Sequence, residues 1–213
     1  MKRETLRKFG IVACLLAACV MLVPAAKADT VYTLTFDGCS GSCGSGPFGT
    51  ITLHQIDSTH VQVTENLAPG VEFVGTGAGF AIGFDLSLGA GQTASITSIN
   101  PNTFTVQAGT QSFSTFGNFD YVINCNCGPG ASNPNPGPLS FIVSVNSGTI
   151  SESSFVANAG GYFFASDVLG VTGKTGNVAA GGTTPPVPEP GSMALLGTGL
   201  VGLAGVIRRK FRG

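Results

Sequence analysis

From residue 31 to about residue 169 apolar and polar side chains alternate with a period of two, the signature of strands half-buried against a core. In VYTLTF, Tyr32, Leu34 and Phe36 fall on one face and Val31, Thr33 and Thr35 on the other. TITLHQI and HVQVTENL flank DST, which reads as a hairpin turn. In FAIGFDLSL, Phe80, Ile82, Phe84, Leu86 and Leu88 share a face, with Ala81, Gly83, Asp85 and Ser87 opposite. That is the pattern of a strand in a two-layer structure. ASITSI, TFTVQA, FDYVIN and LSFIVSV add further strands, rich in β-branched and aromatic residues and bounded by Gly, Pro and Asn. No apolar period of 3.6 residues persists over three turns, and SESSFVAN allows one short helix at most. Roughly eight to ten closely spaced strands predict an all-β fold, a β-sandwich or jelly roll.

The two ends break this pattern. Residues 1–28 combine a basic start (MKRETLRK), an apolar run (FGIVACLLAACVMLV), Pro24 and small residues at Ala26 and Ala28. This is the layout of a secretory signal peptide cut between Ala28 and Asp29 by signal peptidase. A rival reading is lipoprotein processing before Cys19 in LAAC, although the residues that follow are apolar rather than a polar tether. The β-patterned body then occupies 29–170. Residues 171–186, rich in Gly, Thr and Pro, read as a linker whose first half has room for an edge strand. Residues 187–213 form a tail.

Charge is segregated along the chain. Nine of the ten Lys and Arg lie in the two ends, and between Asp29 and Val187 the single base is Lys174 against nine acids. A formal charge of -8 on that stretch predicts no binding to nucleic acid and none to anionic lipid surfaces, both of which need a basic patch.

Cys14 and Cys19 fall in the leader, which leaves Cys39, Cys43, Cys125 and Cys127 in the exported chain. An oxidising compartment makes two disulfides the expectation, with three connectivities open. Cys125 and Cys127 are close enough in sequence that bonding them predicts a strained ring. The expected pairing therefore joins the CSGSC loop to CNC, each such bridge contributing about 4.5 kcal/mol. A four-thiolate zinc site is the alternative, and the CNC spacing is too tight for a common one.

Other chemistry is sparse. GTGLVG matches a dinucleotide fingerprint but has no preceding strand, and GVTGKT is an incomplete phosphate loop leading into the linker. His54 and His60 fit the outer face of one hairpin and would need Asp57 or Glu65 to complete a metal site; solvated histidines are the simpler reading. Asp37, Asp120 and Asp167 lie beside Gly- or Asn-rich loops and read as turn residues rather than Ca²⁺ ligands. No G-x-S-x-G elbow occurs. No catalytic residue, metal or cofactor is expected, and the body reads as non-enzymatic. With no Trp and three Tyr, an aromatic sugar-binding platform is not obvious.

The last 27 residues are VPEPGSMALLGTGLVGLAGVIRRKFRG. Residues 192–207 would make a helix of about 24 Å, a little short of a bilayer core of about 30 Å. Arg208, Arg209, Lys210 and Arg212 would stop transfer and stay on the cytoplasmic side of the inner membrane. Pro188-Glu189-Pro190, the Gly-rich apolar run and the terminal basic cluster, in that order, resemble the PEP-CTERM sorting signal of Gram-negative bacteria. The resemblance implies processing near the motif by an exosortase, a membrane transpeptidase-like enzyme. It also implies delivery to the cell surface or the extracellular matrix of biofilms, with exopolysaccharide a candidate partner. It assigns no activity to the body. The expected function is that of an exported, non-enzymatic surface or matrix protein. A glycan-binding module is the alternative, and an extracellular hydrolase a more distant one.

Overall fold

The computed structural model describes residues 28–128 and 130–184, together with Gly199 and Gly202, which are helical. Most of the leader, the Pro188–Glu189–Pro190 motif and the basic cluster lie outside the described residues. Among the described residues no helix is long and apolar enough to cross a membrane.

Seventeen strands and a single 3₁₀ turn follow one another along the described chain. The first seven strands are β1 (Thr30–Leu34), β2 (Phe36–Asp37), β3 (Gly49–Asp57), β4 (His60–Leu67), β5 (Glu72–Gly75), β6 (Ile82–Leu86) and β7 (Ala94–Asn100). Next come β8 (Phe104–Gln107), β9 (Gln111–Phe113), β10 (Gly117–Phe119), β11 (Tyr121–Cys125), β12 (Gly130–Asn135) and β13 (Leu139–Val145). After the turn at Glu152–Ser154 the chain closes with β14 (Phe155–Val156), β15 (Phe164–Leu169), β16 (Thr175–Ala180) and β17 (Thr183–Thr184).

The fold is all-β. One antiparallel sheet runs β17-β1-β3-β4-β13-β7. The second is built around β15, which pairs along its whole length with β16. On its other side β15 meets β6 through Phe164 and Ala165, and β5 through Val168 and Leu169. Beyond β6 lie β11 and β8, and beyond β5 lies β12. The inward faces of both sheets contribute to one apolar core, the arrangement of a β-sandwich. Phe84 is its hub, with ring centroids 5.5 Å from Tyr121, 5.7 Å from Phe141 of the facing sheet, 5.5 Å from Phe155 and 6.1 Å from Phe164.

The outer face of the second sheet carries a smaller core. Gly83, Ala165 and Ala179 lie side by side across three strands and make a floor with no side chain longer than a methyl group. The β9–β10 hairpin settles onto it through Phe113 and Phe119, with Phe116 and Val122 completing the cluster. A Cβ at Gly83 would come within 2.5 Å of the Phe113 ring, so only glycine permits this approach.

Two expectations are corrected. The stretch expected to be a linker with room for an edge strand contains β16, which is no edge: it pairs with β15 and β2 and its residues 176–180 are all buried, so the folded body runs to Thr184. Its Gly and Ala look unlike a strand, yet small side chains are what the crowded sheet requires: Gly176 lies under the Cys39 sulfur and Ala179 under the hairpin. Second, the single face expected for Phe80 through Leu88 breaks at Ala81. Ile82, Phe84 and Leu86 face the main core, whereas Phe80 joins the outer cluster. The chain leaves the sheet between β5 and β6, and that excursion reverses the alternation.

Candidate functional site

The four cysteines of the body are paired within each cluster, Cys39 with Cys43 (Cα–Cα 5.6 Å) and Cys125 with Cys127 (Cα–Cα 5.0 Å). This overturns the expected pairing between clusters. Cys39 packs over Gly176 on β16, whereas Cys127 lies 3.5 Å from the carbonyl of Phe73 on β5, with β15 between those strands. Two strand spacings, about 9–10 Å, separate the clusters, beyond the reach of a disulfide. At the second cluster, Cys125 ends β11 and the chain bends at Asn126, whose N–H donates to Thr103. An extended chain would hold residues two apart nearly 7 Å from each other. With their sulfurs bonded, these cysteines offer no thiolates to zinc.

His54 and His60 both project from the outer face of the β3–β4 hairpin but take separate partners. His54 Nδ1 is 2.7 Å from Asp29, and His60 Nδ1 is 2.9 Å from Asp57. Hydrogen bonds from Thr59 and His60 pull the Asp57 carboxyl down to about 2. Glu65 sits on the opposite, inward face and cannot complete a site with either histidine. Asp37 accepts from the amides of Cys39 (2.7 Å) and Gly41 (2.5 Å), fastening the CSGSC loop. Asp120 accepts from Thr110 and donates its own amide to Asp85. These are turn-fastening roles. No group of three or more His, Cys, Asp or Glu is arranged to hold a metal ion among the described residues.

Among the described residues two carboxyls are buried instead. Glu65 has no exposed surface and lies between the sheets, where its Oε1 accepts from Ser166 Oγ at 2.6 Å and its Oε2 has no partner among the described residues. Desolvation raises it to about 8, against the smaller pull of the Ser166 bond. Asp167, expected as a solvated turn residue, is fully buried in the middle of β15 on the outer face of that sheet. The alternation of HVQVTENL already aligns Glu65 with Val61 and Val63, so its burial had a signal. Asp167 had none, because every residue of FASDVL is at least half buried.

Among the described residues one aromatic group is anchored by an exposed ring. Phe36 is 45% exposed and meets Tyr162 edge-on at 5.3 Å, while Tyr162 in turn meets Phe116 at 4.8 Å. Asn158 holds the turn that carries Tyr162. Its Oδ1 accepts from the amides of Gly160 and Tyr162, and its Nδ2 donates to Phe116 and Asn118 on the hairpin.

Neither the curated proteins nor the solved structures contain a match to this chain. Its tail does match a family model: residues 186–210 fit the PEP-CTERM protein-sorting motif. The chain carries a PEP-CTERM sorting signal. That signal implies an exported protein sorted by an exosortase, with membrane association during sorting. The matched span contains Pro188, Glu189, Pro190, Arg208, Arg209 and Lys210.

Proposed function

We propose that this protein is a non-enzymatic constituent of the cell surface or extracellular matrix, its body carried outward by the PEP-CTERM tail. The observation that carries the reading is the motif at 186–210. In this account signal peptidase removes residues 1–28. The apolar run at 192–207 then holds the tail in the inner membrane, and the basic cluster ending at Arg212 keeps it from slipping through. Pro188 and Pro190 fix the backbone and deny the segment a helix, so the exosortase meets extended chain. The disulfide-tied sandwich is what reaches the matrix. Replacing Pro188, Glu189 and Pro190 by Ala tests this directly. Export should persist, and the protein should accumulate in the membrane fraction with its tail attached. Release at the wild-type level would contradict the reading.

A second reading, a glycan-binding body acting in the same matrix, draws on Phe36 and Tyr162. A partly exposed ring beside an amide-fastened turn suits stacking against a sugar face. The acidic body favours neutral glycans over acidic ones. A glycan array probed with residues 29–184 and with its Phe36→Ala variant separates the readings. Binding that Phe36→Ala abolishes supports the glycan module, and no binding by either leaves the structural role.

A further inference from the structure

Four buried side-chain oxygens lack a partner among the described residues, and two of them belong to one cross-strand pair: Asp167 Oδ1 and Asn177 Oδ1. The backbone bonds show what kind of pair this is. Asp167 N–H donates to Phe80 and the Asn177 carbonyl accepts from Gly38, so both residues direct their backbone groups away from each other. In such a non-hydrogen-bonded antiparallel pair the Cα atoms stand about 4.5 Å apart and the side chains are at their closest.

The Asn177 amide is fixed in orientation. Its Nδ2 donates to Ala78 O at 2.6 Å and to Ser114 O at 3.0 Å, and turning the group over would set Oδ1 against two carbonyl oxygens. On Asp167, Oδ2 already accepts from Thr76 N at 2.7 Å and Thr76 Oγ1 at 2.6 Å. The remaining oxygens of both side chains are acceptors, and two acceptors cannot satisfy each other. Residues 76–80 pass directly over them, since a Cβ at Gly79 would lie 2.6 Å from Asn177 Oδ1.

The geometry points to a shared proton: Asp167 is a carboxylic acid that donates from Oδ1 to Asn177 Oδ1, and this acid–amide bond latches residues 76–80 and the β9–β10 hairpin onto the outer face of the second sheet. One proton satisfies both orphaned oxygens. Asn177 is the junction, because its amide reaches the excursion at Ala78 and the hairpin at Ser114.

The surroundings favour the neutral acid. Burial pushes the Asp167 carboxyl up, against the two Thr76 bonds. Residues 76–81, the hairpin 111–119 and β16 contain no Asp, Glu, His, Lys or Arg. Asp37 on β2 is turned to the amides of Cys39 and Gly41, and Asp85 on β6 takes the amide of Asp120. Glu72 pairs with Leu169, two positions along β15, and Glu65 faces Ser166 on the other side of the sheet. Among the described residues no cation stands ready to hold Asp167 ionised. Loss of the proton would set two oxygens against each other and release the hairpin, uncovering Phe113, Phe116 and Phe119.

The sign follows from linkage. A raised carboxyl keeps the latch tight below about pH 4, where a solvated aspartate titrates. Opening becomes tenfold easier with each pH unit up to the raised value of the closed form, and is flat beyond it. The test uses the exported, processed protein. The Asp167 carboxyl carbon is followed by NMR against pH, and amide hydrogen exchange at 112–119 is corrected for its intrinsic base catalysis. The expected result is a neutral acid well above pH 4, with corrected exchange rising about tenfold per pH unit. Asp167→Asn keeps a donor toward Asn177 and an acceptor toward Thr76, and should make the exchange independent of pH. An ionised Asp167 at pH 5 with the hairpin protected overturns the proposal. So does a stoichiometric bound cation that protects the hairpin. If the variant fails to fold, the wild-type carboxyl titration still decides.

Discussion

The two faces of the second sheet bury carboxyls in different ways. Inward, between the sheets, Glu65 stands between its strand partners Ile51 and Leu139 and has one hydroxyl, Ser166, for company. Outward, under a hairpin resting on Gly83, Ala165 and Ala179, Asp167 belongs to a net of Thr76, Asn177 and the carbonyls of Ala78 and Ser114. Neighbouring positions of one strand, Ser166 and Asp167, feed the two environments. The inner carboxyl has a partner for one of its two oxygens, and its ionisation costs stability of the whole body. The outer one is fitted to hold a small layer in place. Depth of burial alone does not tell these roles apart; the count of donors and acceptors does.

The largest effect that would break this contrast lies at Glu65. Its folded value of about 8, against 4.5 for the solvated carboxyl, corresponds to about 5 kcal/mol. That stability is fully present below pH 4.5 and is lost as pH rises to about 8. Glu65→Gln should remove this dependence, so denaturant unfolding at pH 4.5 and pH 8.5 should show a far smaller difference in the variant. Equal differences in both proteins would mean that Glu65 is solvated. Next, Phe84→Ala should cost about 3–5 kcal/mol and lower the single unfolding midpoint, because the ring bridges both sheets. Gly83→Ala should cost about 1–3 kcal/mol and act outward. Hydrogen exchange should rise at 111–119 while Val63 and Phe141 stay protected. Loosening of both regions together would contradict the separation of the two layers. Smallest of all, His54→Ala should change stability by less than about 1 kcal/mol, since its bond to Asp29 is exposed.

How far these features can be read from sequence depends on how local they are. LSFIVSV became β13 residue for residue, and Ser58 and Thr59 make the turn between β3 and β4, because alternation and turn chemistry act over a few neighbours. TGNVAA reads as linker because Gly and Ala carry no strand signal of their own. Their smallness has meaning only beside Cys39 and Phe113, which are distant in sequence. The outward turn of Phe80 has the same character, arising from a gap between β5 and β6 that no period reveals. The cysteine pairing is hidden from the sequence because separation across the sheet, rather than ring size, decides it. The Asp167 net is assembled from Thr76, Ser114 and Asn177, and no spacing announces it. The sorting signal is the opposite case: its parts are consecutive, so Pro188-Glu189-Pro190 and the basic cluster are legible without any fold.

Whether the tail sorts this protein can be read from the intact mass of its mature form. The protein would be collected from the surface or medium of cells that hold an exosortase. The expected chain begins at Asp29 and ends near Pro188–Glu189–Pro190, lighter than the exported precursor by the apolar run and the basic cluster. Recovery of a mature protein that still carries Ile207, Arg208, Arg209, Lys210 and Arg212 would contradict it.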